Sequence, residues 1–454
     1  MNNHRIGLIA MSGVRAQNED LMKLGLTLPG FVERSQVIAS LPSLSLLTLA
    51  ALTPSCFSVA YQEILDLKSA GPLPDNCDLV AITSLSAQIY EAYAVADYYR
   101  SRGVPVVMGG LHVSCEPEEA LAHCDSVVVG EGEPVWPELL RDWQRDALKP
   151  RYRQATRGGF DLTQAPCPRF ELLDPAKYNR ITVQTSRGCP HRCEFCASSI
   201  LLTPRYKVKP VPKVLAEIQA IKSIWAQPFI EFADDNSFVQ REHYKILLRE
   251  LARERIRWFT EADLGVAEDP ELLGLMRDSG CQQILIGLES PRQTSLAGVE
   301  LKTDWKARQR DRYLAAIEKI QLHGITVNGC FILGLDGDTP EVFDEVLEFV
   351  RQSGLYEVQI TVLTAFPGTP LYQRLKDEGR LLEDRAWHKC TLFDINIAPK
   401  QMSAAQLDQG FRKLAQIIYS AEETSRRRRN FWRKLRQSST GPRRRNRAAA
   451  PAAI

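Results

Sequence analysis

Short apolar segments alternate with helical patterns along most of this 454-residue chain, and they do so in two separate blocks. Apolar runs separated by amphipathic helices predict parallel strands that are covered on both faces of a sheet. In the first block, the strand-like runs are residues 5–11, 57–62, 79–83, 104–109 and 126–129. Helical patterns lie between them, at residues 43–52, 86–101 and 117–123. We therefore predict an α/β fold that begins with a doubly wound, Rossmann-like domain over residues 1–145.

The second block has the alternation of a partial (β/α)6 barrel, which we predict over residues 181–375. Its strand-like runs are residues 181–185, 229–233, 258–263, 283–289, 326–335 and 358–365. Its helical patterns are residues 211–224, 240–254, 270–279, 307–322 and 340–353. Residues 146–180 are rich in Arg, Pro and Gly and are expected to link the two domains. A helical C-terminal cap is expected over residues 376–424.

Charge is distributed unevenly along the chain. The formal net charge is +2, but residues 426–454 contain eleven Lys or Arg and no Asp or Glu, so the rest of the chain carries −9. Such a run is typical of a solvated arm, and we predict a disordered basic tail over residues 425–454. Contact with nucleic acid or anionic lipid is the alternative. The acidic body disfavours nucleic acid, whereas peripheral membrane contact stays open.

One stretch, residues 37–53, is apolar enough to raise the question of a membrane span. Pro42 and several Ser and Thr interrupt it, whereas a span needs about 20 mostly apolar residues. We therefore predict a buried helix that begins after Pro42. The chain starts without the pattern of a secretory signal. Its eleven Cys are accordingly expected to be reduced thiols or metal ligands in a cytoplasmic protein.

Three cysteines directly follow the first strand of the second block. Cys189, Cys193 and Cys196 stand in the sequence SRGCPHRCEFC, with C-x3-C-x2-C spacing. Cys thiolates are the usual ligands of iron–sulfur clusters, and three of them leave one iron of a cubane open for another ligand. The carboxyl ends of barrel strands are also where active sites lie. A zinc site is the alternative, but it needs a fourth ligand, for which His191 is the nearest candidate.

This cysteine motif, with Phe195 before the third Cys, resembles that of the radical S-adenosylmethionine (SAM) superfamily. The resemblance implies a [4Fe-4S] cluster that binds SAM and cleaves it to a 5′-deoxyadenosyl radical. Later strand ends resemble the SAM-contacting segments of that family, in FADDNSF (232–238), TEAD (260–263), GLES (287–290) and FILGLDGDT (331–339). FPGTPLY (366–372) resembles the closing loop of the family. The SAM contacts that the resemblance implies are Asp234, Asp235, Glu261, Asp263 and Glu289. One of the two adjacent Asp could instead cap a helix.

The N-terminal block resembles the corresponding domain of cobalamin-dependent radical SAM enzymes. The resemblance rests on GGLHVSCEPEEAL (109–121), DSVVVGEGEPVW (125–136) and PSLSLLTLAAL (42–52). Glycines allow backbone to approach a large planar ligand, and the implied cobalamin contacts are Gly109, Gly110, His112, Gly130 and Gly132. None of the seven His stands in a D-x-H-x-x-G pattern, so the sequence names no axial ligand of cobalt. A domain that keeps the fold but binds nothing is the alternative.

The resemblance implies an enzyme that methylates an unactivated carbon of a metabolite, such as a lipid, a tetrapyrrole or a natural product. It also implies an external electron donor of the flavodoxin or ferredoxin type. Oxidative ring closure, or another radical rearrangement, is the main alternative. A methylthiotransferase is less favoured, because the segments around Cys56, Cys77, Cys115 and Cys124 do not resemble its second cluster domain. A non-catalytic iron–sulfur or cobalamin sensor is the last alternative. No motif identifies a catalytic residue for the substrate.

Overall fold

A computed structural model describes residues 4–13, 16–17, 41–154, 159–197 and 205–438 of the chain. Its N-terminal sheet is entirely parallel, with the strand order β2-β1-β3-β4-β5-β6. The strands are β1 (Arg5–Met11), β2 (Ser58–Ile64), β3 (Leu79–Ser84), β4 (Val106–Gly109), β5 (Ser126–Val129) and β6 (Arg151–Arg153). The helices of this domain are α1 (Leu44–Leu52), α2 (Ile89–Arg100), α3 (Leu111–Cys115), α4 (Pro117–Leu121) and α5 (Trp136–Trp143).

Apolar side chains cover both faces of this sheet. Successive residues of one strand, such as Leu8 and Ile9 of β1, point to opposite faces and belong to two different buried clusters. One cluster packs against α2, and the other packs against α1 and α5. This arrangement confirms the predicted doubly wound domain, and it explains why the strands are apolar along their whole length.

The sixth strand lies inside the segment that the sequence assigned to a linker. β6 pairs with β5 in parallel, and its central residue Tyr152 is buried between two exposed arginines. A three-residue strand with one apolar side chain has no detectable period, so local sequence could not define it.

The second sheet carries the six predicted strands of the partial barrel, in the order β14-β13-β12-β11-β10-β7 and all parallel. The strands are β7 (Ile181–Val183), β10 (Phe229–Phe232), β11 (Arg257–Ala262), β12 (Cys281–Glu289), β13 (Thr326–Leu333) and β14 (Glu357–Val362). Two short strands, β8 (Ser186–Arg187) and β9 (Lys207–Val208), form an antiparallel pair after β7.

Helices between these strands cover the outside of the barrel. They are α6 (Val211–Ile224), α7 (Arg241–Glu254), α8 (Pro270–Asp278), α9 (Gln293–Leu296), α10 (Trp305–Gln309), α11 (Tyr313–Leu322) and α12 (Val342–Ser353). The single helix predicted at 307–322 is thus divided by a 3-10 turn at Arg310–Arg312. That turn has no buried residue, so packing does not hold it in a continuous helix.

The C-terminal region contains α13 (Pro370–Asp377), α14 (Ala404–Ile418) and α15 (Ala421–Gln437). The predicted cap is therefore only partly helical, since residues 378–403 contain one 3-10 turn, Trp387–Lys389, in otherwise irregular chain. The prediction of a disordered tail also needs correction, because residues 425–437 lie in α15. Phe431 and Leu435 pack inward there, and the dense arginines mask this apolar face in the sequence. Residues 439–454 lie outside the described ranges.

The apolar stretch near the N terminus forms the helix predicted after Pro42. This helix, α1, buries Leu46, Leu47 and Ala50 against the sheet. Residues 37–40 of the same stretch lie outside the described residues. Within the ranges that the structure describes, no helix has the length and apolar character needed to cross a membrane.

Candidate functional site

The cysteine loop follows β8 at the carboxyl end of the barrel and is held by backbone contacts. Cys193 forms an antiparallel bridge with Glu300. Glu194 N donates to Val299 O at 2.9 Å, and Leu301 N donates to Arg192 O at 2.8 Å. The loop is therefore laid against the segment that follows β12, which limits how far its thiols can move.

None of the three cysteines forms a disulfide, and the surroundings of Cys189 and Cys193 oppose ionisation without a metal. Burial raises the pKa of Cys189 to about 11, and it raises the pKa of Cys193 further, since only 5% of Cys193 is exposed. The positive charge of Lys306 partly offsets both shifts. Asn236 Nδ2 lies 3.7 Å from Cys189 Sγ and can donate to it. Iron would supply the positive charge that converts these thiols to thiolates.

The donor set fits a cluster better than a single ion. Among the described residues, no three His, Cys, Asp or Glu side chains are grouped as they would be around one metal ion. A [4Fe-4S] cluster does not need such a group, because three thiolates would each bind a different iron of the cluster and so lie further apart than the ligands of one ion. His191, the fourth candidate of a zinc site, is instead engaged by two carboxylates.

Those carboxylates belong to Asp263 and Glu300. His191 Nε2 donates to Asp263 at 3.1 Å, and its Nδ1 donates to Glu300 at 3.2 Å. Burial disfavours the charged ring, but these two hydrogen bonds outweigh it and raise the pKa of His191. Asn236 Nδ2 also donates to Asp263 at 2.9 Å. Asp263, one of the predicted SAM contacts, thus braces the cysteine loop from the end of β11.

The adjacent residues Asp234 and Asp235 have different surroundings. Asp234 is buried and accepts hydrogen bonds from the backbone N–H groups of Thr185 and Ser186, both at 2.8 Å. The hydroxyls of Ser237 and Tyr244 donate to its other oxygen at 2.7 and 2.9 Å. Such saturation is typical of a structural carboxylate, and it leaves little capacity for a ligand.

Asp235 points to the other side, where it contacts the cysteine loop and lines a cavity. It accepts a hydrogen bond from the backbone N–H of Gly188 at 2.7 Å, one residue before Cys189. It also borders the cavity between the two domains. Of the two predicted contacts, Asp235 is therefore the one that the structure leaves facing open space.

Two further predicted SAM contacts lie on β11 and β12. Lys306 Nζ donates to Glu289 Oε1 at 2.7 Å. The carboxyl of Glu261 lies near the carboxylates of Glu231 and Asp235, and burial together with these charges raises the pKa of Glu261 to about 8. Burial and the neighbouring carboxylates therefore favour the neutral form of Glu261, whereas Glu289 is ion-paired with Lys306.

The predicted closing segment is tied directly to the cysteine loop. Leu371 N donates to Glu194 O at 3.1 Å. Arg374 of α13 donates to both carboxylate oxygens of Glu194, at 2.6 and 3.0 Å, and to Asp336 at 2.7 Å. Side-chain hydrogen bonds with Glu194 are the main reason that the pKa of Arg374 is raised. The closing helix thereby covers one side of the cysteine loop.

A cavity of about 340 Å³ lies between the N-terminal sheet and the barrel. Gly109, Gly110, Gly130 and Gly132 line it at the carboxyl ends of β4 and β5. Gly110 has φ +103°, and a Cβ there would lie 2.7 Å from Thr83 Oγ1. The apolar wall is formed by Leu44, Leu46, Leu49, Ala81, Ile82, Val107, Val128, Trp136, Ala165 and Pro166.

The structure does not place His112 in this cavity, which corrects the prediction that it contacts cobalamin. Its ring is fully buried, with Nδ1 3.0 Å from Ser86 Oγ and Nε2 3.6 Å from Glu119 Oε1. Trp387 packs edge-on against it. A residue after two cavity-lining glycines turns away here because α3 begins at Leu111 and directs its next side chain into the core. Among the described residues that line the cavity there is no histidine.

Sequence reasoning missed several residues that connect the predicted contacts. Asn236 directly follows the predicted Asp235, and Lys306 lies in the first turn of α10, about 110 residues after the cysteine loop. Arg187 donates to the carboxylates of Glu131 and Glu133, at 2.5 and 2.7 Å, across the domain interface. The charged residues of SRGC and GEGE were visible signals, but nothing in the sequence indicated that they pair.

Comparison with known families agrees with this architecture. Residues 183–350 match the radical SAM superfamily, and residues 74–140 match the B12 binding domain. Residues 369–453 match a domain of unknown function, DUF4070. The first range lies within the barrel that carries the cysteine loop, and the B12 binding range lies within the N-terminal domain that carries the glycine loops.

Individual relatives cover most of the chain. A bacteriochlorophyllide d C-8(2)-methyltransferase from Chlorobaculum tepidum is 30% identical, over 69% of this chain and 71% of its own length. The hopanoid C-2 methylase of Rhodopseudomonas palustris is 30% identical, over 77% of this chain and 67% of its own length.

Solved structures share the fold. The radical SAM methyltransferase TsrM from Kitasatospora setae superposes with a TM-score of 0.61 at 18% identity, covering 83% of this chain and 76% of its own. At that identity the likeness concerns the fold. Together with the cysteine loop, the glycine-lined cavity and the matched families, these relatives establish that the chain belongs to the radical SAM superfamily and to its branch that carries an N-terminal B12 binding domain.

Proposed function

We propose that this radical SAM enzyme transfers a methyl group to an unactivated carbon of a small metabolite, with cobalamin as the methyl carrier. The observation that carries the proposal is the cavity, because a single space is bordered by the glycine loops of the B12 binding domain and by Arg187 and Asp235 beside the cysteine loop. Two cofactor sites that open into one space suit a reaction in which both act on one substrate.

The residues present fit the three expected groups. We propose that Cys189, Cys193 and Cys196 hold a [4Fe-4S] cluster. We propose that Asp235, Asp263 and Glu289, at successive strand ends, contact SAM, as radical SAM enzymes use those positions. When bound, the cluster and SAM supply radical formation, and cobalamin supplies the methyl group.

The chain's own contribution is binding, orientation and exclusion of water. The glycines let corrin-sized ligands approach the backbone of β4 and β5 closely. The apolar wall of the cavity, with Trp136 and three leucines, keeps water away from reactive groups. The Arg374–Glu194 contacts hold α13 over the cysteine loop and restrict access from that side. Because much of the lining is apolar, we propose an apolar or largely apolar substrate, of the lipid, tetrapyrrole or natural-product kind.

The experiment is anaerobic reconstitution with iron, sulfide and cobalamin, followed by reduction in the presence of SAM. We expect release of 5′-deoxyadenosine, together with S-adenosylhomocysteine when methyl transfer proceeds. Cys193→Ala should lose the visible iron–sulfur absorbance and both products, whereas Cys56→Ala, at an exposed position remote from the loop, should keep them. Products from Cys193→Ala would contradict the cluster assignment.

Oxidative ring closure is the second candidate function, and the same assay separates it from methylation. A cyclase would release 5′-deoxyadenosine without stoichiometric S-adenosylhomocysteine, because no methyl group leaves SAM. A sensor would release neither product. Detection of S-adenosylhomocysteine with a methylated product would exclude both alternatives.

An external one-electron donor is part of the proposal. Cleavage of SAM to a radical consumes one electron, so the proposed cluster has to be reduced before each cleavage. We propose a reduced flavodoxin or ferredoxin as the donor. Either protein should replace a chemical reductant in the SAM cleavage assay, and failure of both would refute this part.

We also propose that α15 contacts an anionic membrane surface. Its inner face, with Arg427, Phe431 and Leu435, is buried, whereas Arg429, Arg433 and Arg436 are exposed on the outer face. Trp432 is 49% exposed beside these arginines. No Asp or Glu occurs after Glu423. A basic helix face with an exposed Trp suits the lipid headgroup layer better than the uniformly charged backbone of nucleic acid.

Vesicle sedimentation of the full chain tests this contact. Binding should require phosphatidylglycerol, fall with salt, and be lost in the triple variant Arg429→Glu, Arg433→Glu, Arg436→Glu. The matched control reverses three other exposed arginines, Arg145, Arg253 and Arg255, and should still bind. Equal binding of both variants, or binding to duplex DNA in preference to vesicles, would refute the membrane proposal.

A further inference from the structure

The side chain of Arg187 leaves its own domain and enters the glycine loop of the other. Arg187 lies in β8, two residues before Cys189. Its Nη1 donates to Glu131 Oε1 at 2.5 Å, and its Nη2 donates to Glu133 Oε1 at 2.7 Å. Gln184 Oε1 accepts from the same Nη2 at 2.8 Å and holds the guanidinium in plane. The guanidinium of Arg187 therefore binds two carboxylates of one loop, each through a different nitrogen.

Glu131, the more buried of the two carboxylates, also contacts the linker and strand β9. Its second oxygen accepts a hydrogen bond from Phe160 N, and Lys207 of β9 lies 3.7 Å from its first. Lys207 in turn donates to Phe160 O at 2.8 Å. A Cβ at Gly159, where φ is +75°, would lie 2.6 Å from Glu131 Oε2, so only glycine allows the linker to approach this closely.

These charged groups are withdrawn from water. The side chains of Arg187, Glu131 and Glu133 are 16%, 5% and 12% exposed. Charged partners that have lost most of their hydration hold a definite geometry, since separating them leaves a charge buried and unpaired. The contact is therefore a rigid connection between the domains, unlike a pair of exposed side chains that solvent can replace.

All of these residues border the space between the two proposed cofactors. Glu131 and Glu133 alternate with the cavity-lining Gly130 and Gly132, and Arg187 lines the same cavity from the barrel. On the Cys189 side of Arg187, Gly188 donates its N–H to Asp235. The side chain of Arg187 therefore lies between the loop proposed to carry cobalamin and the loop proposed to carry the cluster, and it connects them.

We infer that Arg187 is a positioning residue that sets the distance and angle between the cobalamin site and the cluster site. The inference rests on the proposed function. A second interdomain contact, in which Trp387 Nε1 donates to Glu119 at 3.1 Å, lies elsewhere and touches neither loop. Only the Arg187 contact joins the two loops directly among the described interdomain contacts, so its loss should disturb their relative placement and leave each site assembled.

The test compares the reconstituted holoenzyme with Arg187→Met and Glu133→Gln. The iron content and the visible cluster spectrum should stay at the wild-type level in both variants. Cobalamin binding, followed by spectral titration, should weaken roughly tenfold, as expected for loss of coupling between sites. Pulsed electron paramagnetic resonance between Co(II) and the reduced cluster should give a broader distance distribution. Arg187→Lys should fall between wild type and Arg187→Met, because an ammonium cannot fork two carboxylates.

Arg385→Met is the matched control, since it removes an interdomain arginine that pairs with Glu119 at 3.5 Å and is more than half exposed. Its affinity and distance distribution should match wild type. If the wild-type protein binds cobalamin, and both Arg187→Met and Glu133→Gln show the wild-type cobalamin affinity and distance distribution, this inference alone is overturned. A wild-type protein that takes up no cobalamin would overturn the proposed function and the inference together. Glu133→Gln keeps the test decisive if Arg187→Met does not fold.

Discussion

Lys306 and Glu289 form a buried ion pair next to the cysteine loop, with Nζ 2.7 Å from Oε1 and side chains only 11% and 8% exposed. Lys306 also donates to Gly287 O at 3.1 Å, and its backbone N–H donates to Glu300. The pair therefore connects the end of β12 to the segment that holds Cys193 in place. The backbone of Glu289 has φ +61°, a conformation that few residues with a side chain adopt. Contacts such as the ion pair with Lys306 stabilise the strand end in this conformation.

We predict that Lys306→Met lowers the free energy of unfolding by about 3–5 kcal/mol, because it leaves the Glu289 carboxylate buried without a partner. Urea unfolding of the apoprotein measures this directly. Lys302→Met, at an exposed position of the same segment, should change stability by less than about 0.5 kcal/mol. Equal midpoints for the two variants would show that the pair contributes little.

The two adjacent aspartates should respond differently to substitution. Asp234→Ala removes the acceptor of five hydrogen bonds inside the barrel and should lower the free energy of unfolding by roughly 3 kcal/mol or more. Asp235→Ala removes the hydrogen bond from Gly188 N at the edge of the cavity and should lower the free energy of unfolding by only about 1 kcal/mol, but it should weaken SAM binding. Urea unfolding and equilibrium dialysis with SAM separate the effects. The assignment fails if Asp235→Ala is the less stable of the pair.

The raised pKa of Glu261 predicts a pH dependence of stability. The folded state keeps this proton up to about pH 8, whereas an exposed glutamate loses it near 4.5. Folding therefore retains a proton in this window, and the contribution of Glu261 to stability declines as pH rises from about 4.5 to 8. Glu261→Gln removes the decline, so relative to wild type it should be more stable at high pH than at low pH. Parallel unfolding curves across the range would contradict the assignment.

His112→Ala should destabilise the N-terminal domain without changing cobalamin affinity. The ring fills a buried site between Ser86 and Trp387, and its removal should cost about 2–4 kcal/mol through a cavity and lost polar contacts. Thermal unfolding and spectral titration with cobalamin measure the two properties. If affinity fell while stability stayed constant, His112 would belong to the cobalamin site after all.

Elements with a clear period were predictable almost to the residue. The helix expected at 211–224 is α6, and the strand expected at 126–129 is β5. In both, local chemistry and burial agree, since every residue of β5 is buried. The elements that were missed lack this agreement. β6 has one apolar residue between two arginines, and α15 hides Phe431 and Leu435 among basic residues.

By itself the sequence determined the order of strands and helices, the cysteine spacing, and the glycine loops at strand ends, because these depend on residue chemistry and short periodicity. Only the tertiary structure decided which of two neighbouring carboxylates faces the cavity, why His112 turns away, and that Arg187 reaches Glu131, 56 positions earlier. The physical reason is that these outcomes are set by packing between distant segments. A local pattern fixes which face of an element a residue occupies, but not which partner the fold brings to it.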